Sequence, residues 1–417
     1  MLASLWPAAG HPDELTLAAA VRMALARNER PRIAELTVVT AEASLAKARA
    51  GFLPSISLTG NEALRPYSVQ DSNGRTTLRS NAASGAVTVS QPVFSLPAFP
   101  LYASAQHQLE ATRQGAVELR RQLSFDAARA FFGVVAQQRV LLAAQHRLER
   151  AEASSKDTRA RAEAQLVSSN DLTRAEVDRS ASLQSLAAAR NSLEQARIGL
   201  SLLLDAPVDS ELTPGAEGLA PPKLDAASLA TQALDQRPDL AAAREAALAA
   251  RSAADEPALR FAPSLGASAQ ARGADSQIAG DRYWDTTLTL NLTWAIWDAG
   301  TRGADEASRL AAAHTADLQA RALARRVQAD VRAAIAELVE ARSAFEAAQG
   351  GVEAARRNVD ETGVLYKQGL AKAIELVDAN LSFFDSEVSL AGAQLSVRQA
   401  ELDLRAALGL FPIEDVR

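Results

Sequence analysis

An apolar residue returns at every seventh position from Val331 through Leu338, Phe345, Val352 and Val359 to Tyr366. Alanine follows three residues later, at Ala334, Ala341, Ala348 and Ala355. A 3.5-residue period belongs to helices wound around one another, and alanine on the second seam position lets their backbones approach closely. After Gly369 the period resumes at Leu376, Phe383, Leu390, Val397, Leu404 and Phe411, with Ala379, Ser386, Ala393, Ala400 and Ala407 beside it. The first half carries it more loosely. There Val134, Leu141 and Leu148 run with Ala130, Ala144 and Ala151, and Leu172, Leu186, Leu193 and Leu200 with Ala175, Ser182, Ala189 and Ala196. No proline interrupts the chain between Pro100 and Pro207 or between Pro263 and Pro412. Proline breaks helix interiors, so these stretches predict two long antiparallel helical hairpins that turn near Gln165–Asn170 and Gly369–Ala373. A helix of about 60 residues would rise roughly 90 Å.

A second period occupies Tyr283–Trp297. Trp284, Thr286, Leu288, Leu290, Leu292, Trp294 and Ile296 alternate with Asp285, Thr287, Thr289, Asn291 and Thr293. Period two is that of a strand with unlike faces. An aliphatic band between Trp284 and Trp294 suits a strand that crosses a bilayer, with the tryptophans as interface anchors. The same alternation also suits a sandwich strand with one buried face.

The chain reads as a duplication. Arg30-Pro31 is answered by Arg237-Pro238-Asp239-Leu240, and Phe52-Leu53-Pro54-Ser55-Ile56 by Phe261-Ala262-Pro263-Ser264-Leu265. Proline ends the helix in each case and is tolerated where a strand begins. The first repeat is expected over 1–206, with strands at about 54–67 and 82–94 and a helical hairpin at about 101–205. The second is expected over 224–417, with strands at about 263–273 and 283–297 and a hairpin at about 302–411. The proline-, glycine- and acid-rich stretch at 207–223 reads as the linker.

Composition excludes several classes. Formal net charge is −6 and no long basic run occurs, so nucleic acid is not an expected partner. No run of about 18 apolar residues exists, so transmembrane helices are not expected. The opening MLASLWPAAG lacks a basic region and is too short for a secretory signal, so an exported form would have lost or exchanged its leader. Cysteine is absent, which fits either side of a membrane. His11, His107, His146 and His314 are isolated, and no metal-ligand spacing or phosphate-binding loop appears. Neither an enzyme nor a cofactor is expected, and Ser44-Leu45-Ala46-Lys47 stands without companion motifs.

Two sets of residues remain as candidate sites. Glu375 and Asp378 are three apart and share a helix face just past the Gly369 turn. From spacing alone they are a solvated face. In a symmetric oligomer they would form rings of like charge that select cations. The turns themselves, Gln165-Leu166-Val167 and Gln368-Gly369-Leu370, each present a leucine for docking or for packing back on the hairpin.

Two copies of helix, strand, loop, strand and long helical hairpin resemble the TolC-like outer-membrane efflux family. The carriers are the Arg237–Leu240 turn, the Phe-x-Pro-Ser strand openings, Ser90-Gln91-Pro92-Val93-Phe94 and, above all, YKQGLAKAIELVDAN at Tyr366–Asn380. The resemblance implies a mainly α protein with membrane β. In it, a homotrimer closes a twelve-stranded barrel in outer-membrane lipid, and a twelve-helix tunnel continues through the periplasm. It implies a periplasmic gate at Glu375 and Asp378, and tips at Gln165–Val167 and Gln368–Leu370 that contact a periplasmic adaptor (membrane fusion) protein. It implies passive transport powered by an inner-membrane pump or ABC transporter. The residues by themselves require only more than one copy, because lipid-facing strands cannot leave open edges in hydrocarbon. Where Gly369 stands in the second copy the first has Gln165, so that turn is expected to differ in shape. No N-terminal cysteine is present for an acyl anchor.

Efflux of small molecules or metal ions is the expected function. The alternatives are the outer-membrane component of a type I protein secretion system and, in another class, a soluble coiled-coil scaffold.

Overall fold

The heptad stretches form the four longest helices of the protein's structure, a computed structural model that describes residues 15–70, 72, 76–78, 80–209, 212–213, 225–275 and 283–413. The opening decapeptide and most of the expected linker lie outside these residues. In chain order the elements begin with α1 (Leu17–Arg27), α2 (Glu29–Ala50), β1 (Ser55–Leu64), β2 (Val69–Gln70), β3 (Thr76–Leu78) and β4 (Asn81–Phe94). Next come α3 (Ala98–Glu163), α4 (Ser169–Leu204), α5 (Ala226–Gln236), α6 (Pro238–Ala254) and α7 (Glu256–Leu259). The chain closes with β5 (Ser264–Ala274), β6 (Trp284–Thr293), α8 (Thr301–Lys367) and α9 (Ala373–Ala407). Helix α3 has 66 residues and α8 has 67. Among the described residues no helix is long and apolar enough to cross a membrane.

The residues divide into two compact units, and each takes segments from both halves of the chain. One comprises Met1–Glu35, Ala116–Asp239 and Ala324–Arg417, the other Leu36–Gly115 and Leu240–Leu323.

In the first unit many of the seam positions are buried, while Leu376, Leu390, Ala393 and Val397 among them are half-buried. Val331, Ala334, Leu338 and Ala341 on α8 and Ala379, Phe383, Ala400, Leu404 and Ala407 on α9 are buried, while Ala333, Ala336 and Val339 face outward. Further along α8, Phe345, Ala348, Val352 and Ala355 are half-buried. The thickest part of the core joins Leu17, Val21 and Ala24 of α1 to Leu123, Phe131 and Val134 of α3 and Leu200 and Leu204 of α4. Full burial of each large side chain there contributes about 1.5–3 kcal/mol.

Polar ties fix the ends of these helices. The Arg237 guanidinium forks onto Asp239 at 3.0 and 2.6 Å and reaches Asp330 at 3.0 Å. Burial alone would lower the Arg237 pKa, but hydrogen bonds and charge from Asp239 and Asp330 outweigh it and raise the value. Arg30 meets Asp126 at 2.9 Å in the first half. Past α9, Gly409 adopts a left-handed φ of +79°, and a Cβ there would lie 2.9 Å from the backbone of Gln236 and Arg237. Only glycine lets the C-terminal turn lie on the start of α6.

The second unit holds a four-stranded antiparallel sheet in the order β1-β4-β5-β6, with β2 and β3 as a separate hairpin. The pairing register gathers like residues into rows. Ser57, Thr88, Gln270 and Thr287 are aligned across the sheet, as are Ser55, Ser90, Ser268 and Thr289. The next row is Ile56, Val89, Ala269 and Leu288, all apolar. Within one chain that apolar face is uncovered: Ile56 is 75% exposed and Leu288 82%. Among the described residues β1 and β6 each pair along one side only.

Two strand ends have local causes. Pro92 has no N–H to donate, and the ladder shifts register between Pro92 and Phe94. Gln91 beside it donates its side-chain amide to the Phe52 carbonyl at 3.0 Å, tying the strand end to the α2–β1 turn. Strand β6 stops at Thr293, short of the expected Trp297, because its partner strand begins at Ser264, directly opposite. Trp294 therefore leaves the ladder, and its indole donates to the Phe261 carbonyl at 3.0 Å.

Overpacking a close-packed position costs typically about 1–3 kcal/mol. Ala334→Phe is expected to destabilise the protein by that much and so lower its denaturation midpoint, while Ala336→Phe, two residues on and exposed, changes stability by no more than about 0.5 kcal/mol and leaves the midpoint nearly unchanged. Equal midpoints would show that the alanine seam carries no packing constraint.

Candidate functional site

Both helical hairpins end in the same backbone device. Helix α3 stops where Gln165 turns left-handed at φ 60°, and α8 stops at Gly369 with φ 74°. The Leu166 amide donates to the Arg161 carbonyl at 2.8 Å and the Gln165 amide to Ala162 at 2.9 Å. At the other tip Leu370 donates to Leu365 at 2.9 Å and Gly369 to Tyr366 at 3.0 Å. This six-to-one and five-to-two pairing is the Schellman arrangement, which closes helices on a left-handed residue. Gln165 thus follows the same turn as Gly369, and the expected difference in shape is corrected. A side chain is tolerated in that conformation at a cost of roughly 1–2 kcal/mol, so the substitution changes the strain and not the path.

The leucines that follow are turned outward. Leu166 is 75% exposed and Leu370 72%, so neither packs back on its own hairpin. Gln165, Gln368 and Gly369 are exposed with them, and Val167 is half-buried.

The acids beyond the turns differ between the halves. Ser168 and Asp171 form a capping box at the start of α4: the Ser168 hydroxyl accepts from the Asp171 amide, and the Asp171 carboxylate accepts from the Ser168 amide at 3.2 Å. Asp171 is thereby committed to its own helix. Lys372 caps α9 with no side-chain hydrogen bond, and Glu375 and Asp378 are both exposed on its first turns. Neither carboxylate pairs with another described side chain, so the face they share is open.

A cluster just above the tips was not legible as a site in the sequence. The Tyr366 hydroxyl lies 3.0 Å from the Thr158 hydroxyl, and both residues are buried. The Arg161 guanidinium sits 4.9 Å from the Tyr366 ring centroid, donates to the Tyr366 carbonyl at 3.3 Å and pairs with Asp157 at 2.9 Å. These groups tie α8 to α3 within about two turns of the hairpin ends. Tyr366 was visible as a seam residue, but Thr158 and Arg161 lie 208 and 205 positions away, and no local pattern links them.

In the sheet, Trp284 and Trp294 are 65% and 60% exposed, on either side of the uncovered Leu288, Leu290 and Leu292. Trp284 and Trp294 thus flank the apolar residues of β6, and the tip residues and acids lie where α3 meets α4 and where α8 meets α9.

Four long helices and a four-stranded antiparallel sheet define a mainly helical class of protein with a small sheet. The chain matches the family described as outer membrane efflux protein over residues 20–206 and 229–410, and it belongs to that family. It is a protein of the outer membrane. Comparison with curated protein sequences finds no match. Among solved structures it is similar to CusC, at 19% identity and a TM-score of 0.84, over 98% of this chain and 96% of that one. It is similar to the Campylobacter jejuni CmeC outer membrane channel, at 15% identity and a TM-score of 0.80, over 94% and 85%. The open state of the Neisseria gonorrhoeae MtrE outer membrane channel matches at 20% identity and a TM-score of 0.79, over 96% and 90%. At these identities the likeness is one of fold.

Substitutions at the two tips should act in opposite senses, because glycine suits the left-handed residue at both. Gln165→Gly relieves left-handed strain of roughly 1–2 kcal/mol against about 0.5–1 kcal/mol of added chain entropy, and Gly369→Ala introduces that strain. Hydrogen exchange should show slower exchange of the Leu166 amide in the first variant and faster exchange of Leu370 in the second. A shift of the same sign in both would contradict the shared turn.

Proposed function

We propose that the protein is an outer-membrane exit duct that conducts substrates passively from a periplasm-spanning pump complex to the outside. One observation carries this reading: the sheet exposes apolar rows on one face, polar rows on the other, and edges at β1 and at β6 that no described strand pairs. In hydrocarbon every backbone N–H and C=O must be paired, so those edges require neighbouring copies of the same sheet. Three copies of four strands would close a twelve-stranded barrel, with polar rows toward the lumen and apolar rows toward lipid. The helical hairpins of three copies would continue it as a twelve-helix tunnel in the periplasm. In this assembly the chain is two repeats, 1–206 and 224–417, joined by a linker at 207–223.

Trp284 and Trp294 then mark the two interfaces of the outer membrane. Leu166 and Leu370 with their neighbours Gln165, Val167, Gln368 and Gly369 offer the tips to a periplasmic adaptor, which links the duct to an energised inner-membrane pump or ABC transporter. Their outward leucines support this, because exposed apolar residues at a hairpin end favour docking. Small molecules or metal ions are the cargo favoured by the family's description as efflux proteins.

The open carboxylate face of Glu375 and Asp378 supports their role as stacked acidic rings at the periplasmic gate. Glu375→Gln with Asp378→Asn is expected to lower cation preference and abolish block by multivalent cations without changing assembly. Single-channel conductance and reversal potential in planar bilayers under a salt gradient measure both. Parental selectivity and block in the double variant would put the gate elsewhere.

The strand register makes a separate prediction. Leu290→Arg puts a charge on the lipid face at a cost of about 2–4 kcal/mol at mid-bilayer, and Asn291→Arg puts it in the lumen. The membrane yield of the first should fall well below that of the second. Equal yields, or the reverse order, would refute the assignment of faces.

A further inference from the structure

A cleft of about 500 Å³ opens in the first unit between α3, α4 and the segment that follows α4. Its walls are apolar at Val135, Leu141, Leu193 and Leu212. Leu212 is itself anchored: the Gln138 side-chain amide, in its hydrogen-bonding orientation, donates to the Leu212 carbonyl and accepts from its amide, each at 3.1 Å. Leu212 also bridges to Leu15. The wall on that side is therefore held in place.

Two arginines line this cleft, Arg139 from α3 and Arg197 from α4. Neither forms a hydrogen bond or ion pair with any described residue, and the Nε of Arg197 is buried without a partner. Other arginines in the same unit are held by acids, among them Asp126, Asp178, Glu118, Glu387, Asp403 and Asp330. Asp209 also lines the cleft, but it pairs with neither arginine. The local charge is thus two cations against one anion, which a single negative charge balances.

A guanidinium fork matches the two oxygens of a carboxylate, and a buried guanidinium N–H without an acceptor gains most from one. The apolar walls would be wasted on a bare inorganic ion. Volume and lining together are those of a site for a small organic molecule. We propose that this cleft binds an amphiphilic monocarboxylate, its head on Arg139 and Arg197 and its apolar body along Val135, Leu141, Leu193 and Leu212. The site is independent of the channel reading, since it uses none of the tip, gate or sheet residues.

Decanoate labelled with ¹³C at the carboxyl carbon is the probe, added below its micellar concentration to the full chain reconstituted in lipid nanodiscs. Empty nanodiscs supply the blank for partition into lipid. Saturable binding of one decanoate per chain is expected, with a shift in the carboxyl resonance. Arg197→Gln and Arg139→Gln are each expected to weaken it at least tenfold. Decanol, which keeps the tail, and acetate, which keeps the charge, should each bind at least tenfold more weakly than decanoate. Arg139 is exposed, so its replacement leaves no buried gap and serves as the variant safe for folding. The proposal is overturned by an absence of saturable binding, by decanol binding as tightly as decanoate, or by undiminished binding in Arg139→Gln.

Discussion

Close approach of helices through alanine is the constraint on which the rest of the first unit depends. Ala334, Ala341, Ala379, Ala400 and Ala407 are buried where a larger side chain would force the backbones apart. With so little side-chain volume at the seam, each contact contributes modestly, and the helices compensate by length. Polar ties then set register along them. Arg237 holds Asp239 and Asp330, Arg121 holds Glu118 and the Ala406 carbonyl, and Arg161 holds Tyr366 and Asp157. An alanine seam alone slides easily, because its successive layers are alike, and these dissimilar contacts distinguish one layer from the next.

The hairpin ends show how a turn outlives a change in its residue. Gln165 and Gly369 adopt the same left-handed conformation because the carbonyls of the last helical turn require amides from beyond it. The hydrogen bonds dictate the path, and residue type sets only how much strain the path carries. The acids after the turns diverge for a comparable reason. Asp171 follows a serine that can share a capping box, whereas Glu375 follows Lys372, which has no acceptor to offer. One half thereby closes its acid into the helix and the other leaves two acids facing outward.

The sheet has the opposite character from the helical core. The side chains of its edge strands β1 and β6 are nearly all exposed within one chain, on both faces, those of β4 and β5 are in part half-buried, and its order comes from backbone pairing and from rows of like residues. A layer of this kind has no core of its own, and its apolar rows are satisfied only by a surrounding medium. Membership of the outer membrane efflux family accords with lipid as that medium.

Periodicity made much of this legible from residues alone. The seven-residue repeat foretold four long helices, and the alternation at Trp284–Thr293 foretold a strand, because each period reports a repeating burial that every turn or pleat must honour. The turns at Gln165 and Gly369 were legible as breaks in those periods. Tertiary structure alone decided that Tyr366 meets Thr158 and Arg161, that Gly409 lies against Gln236, and that β6 ends at Thr293 because β5 begins opposite it. It also decided that Arg139 and Arg197 share a cleft and pair with no described acid there, although 58 positions separate them. Such pairings depend on which residues distant helices bring level with one another. A sequence records the period of each helix, but the offset between two helices is fixed only when they pack.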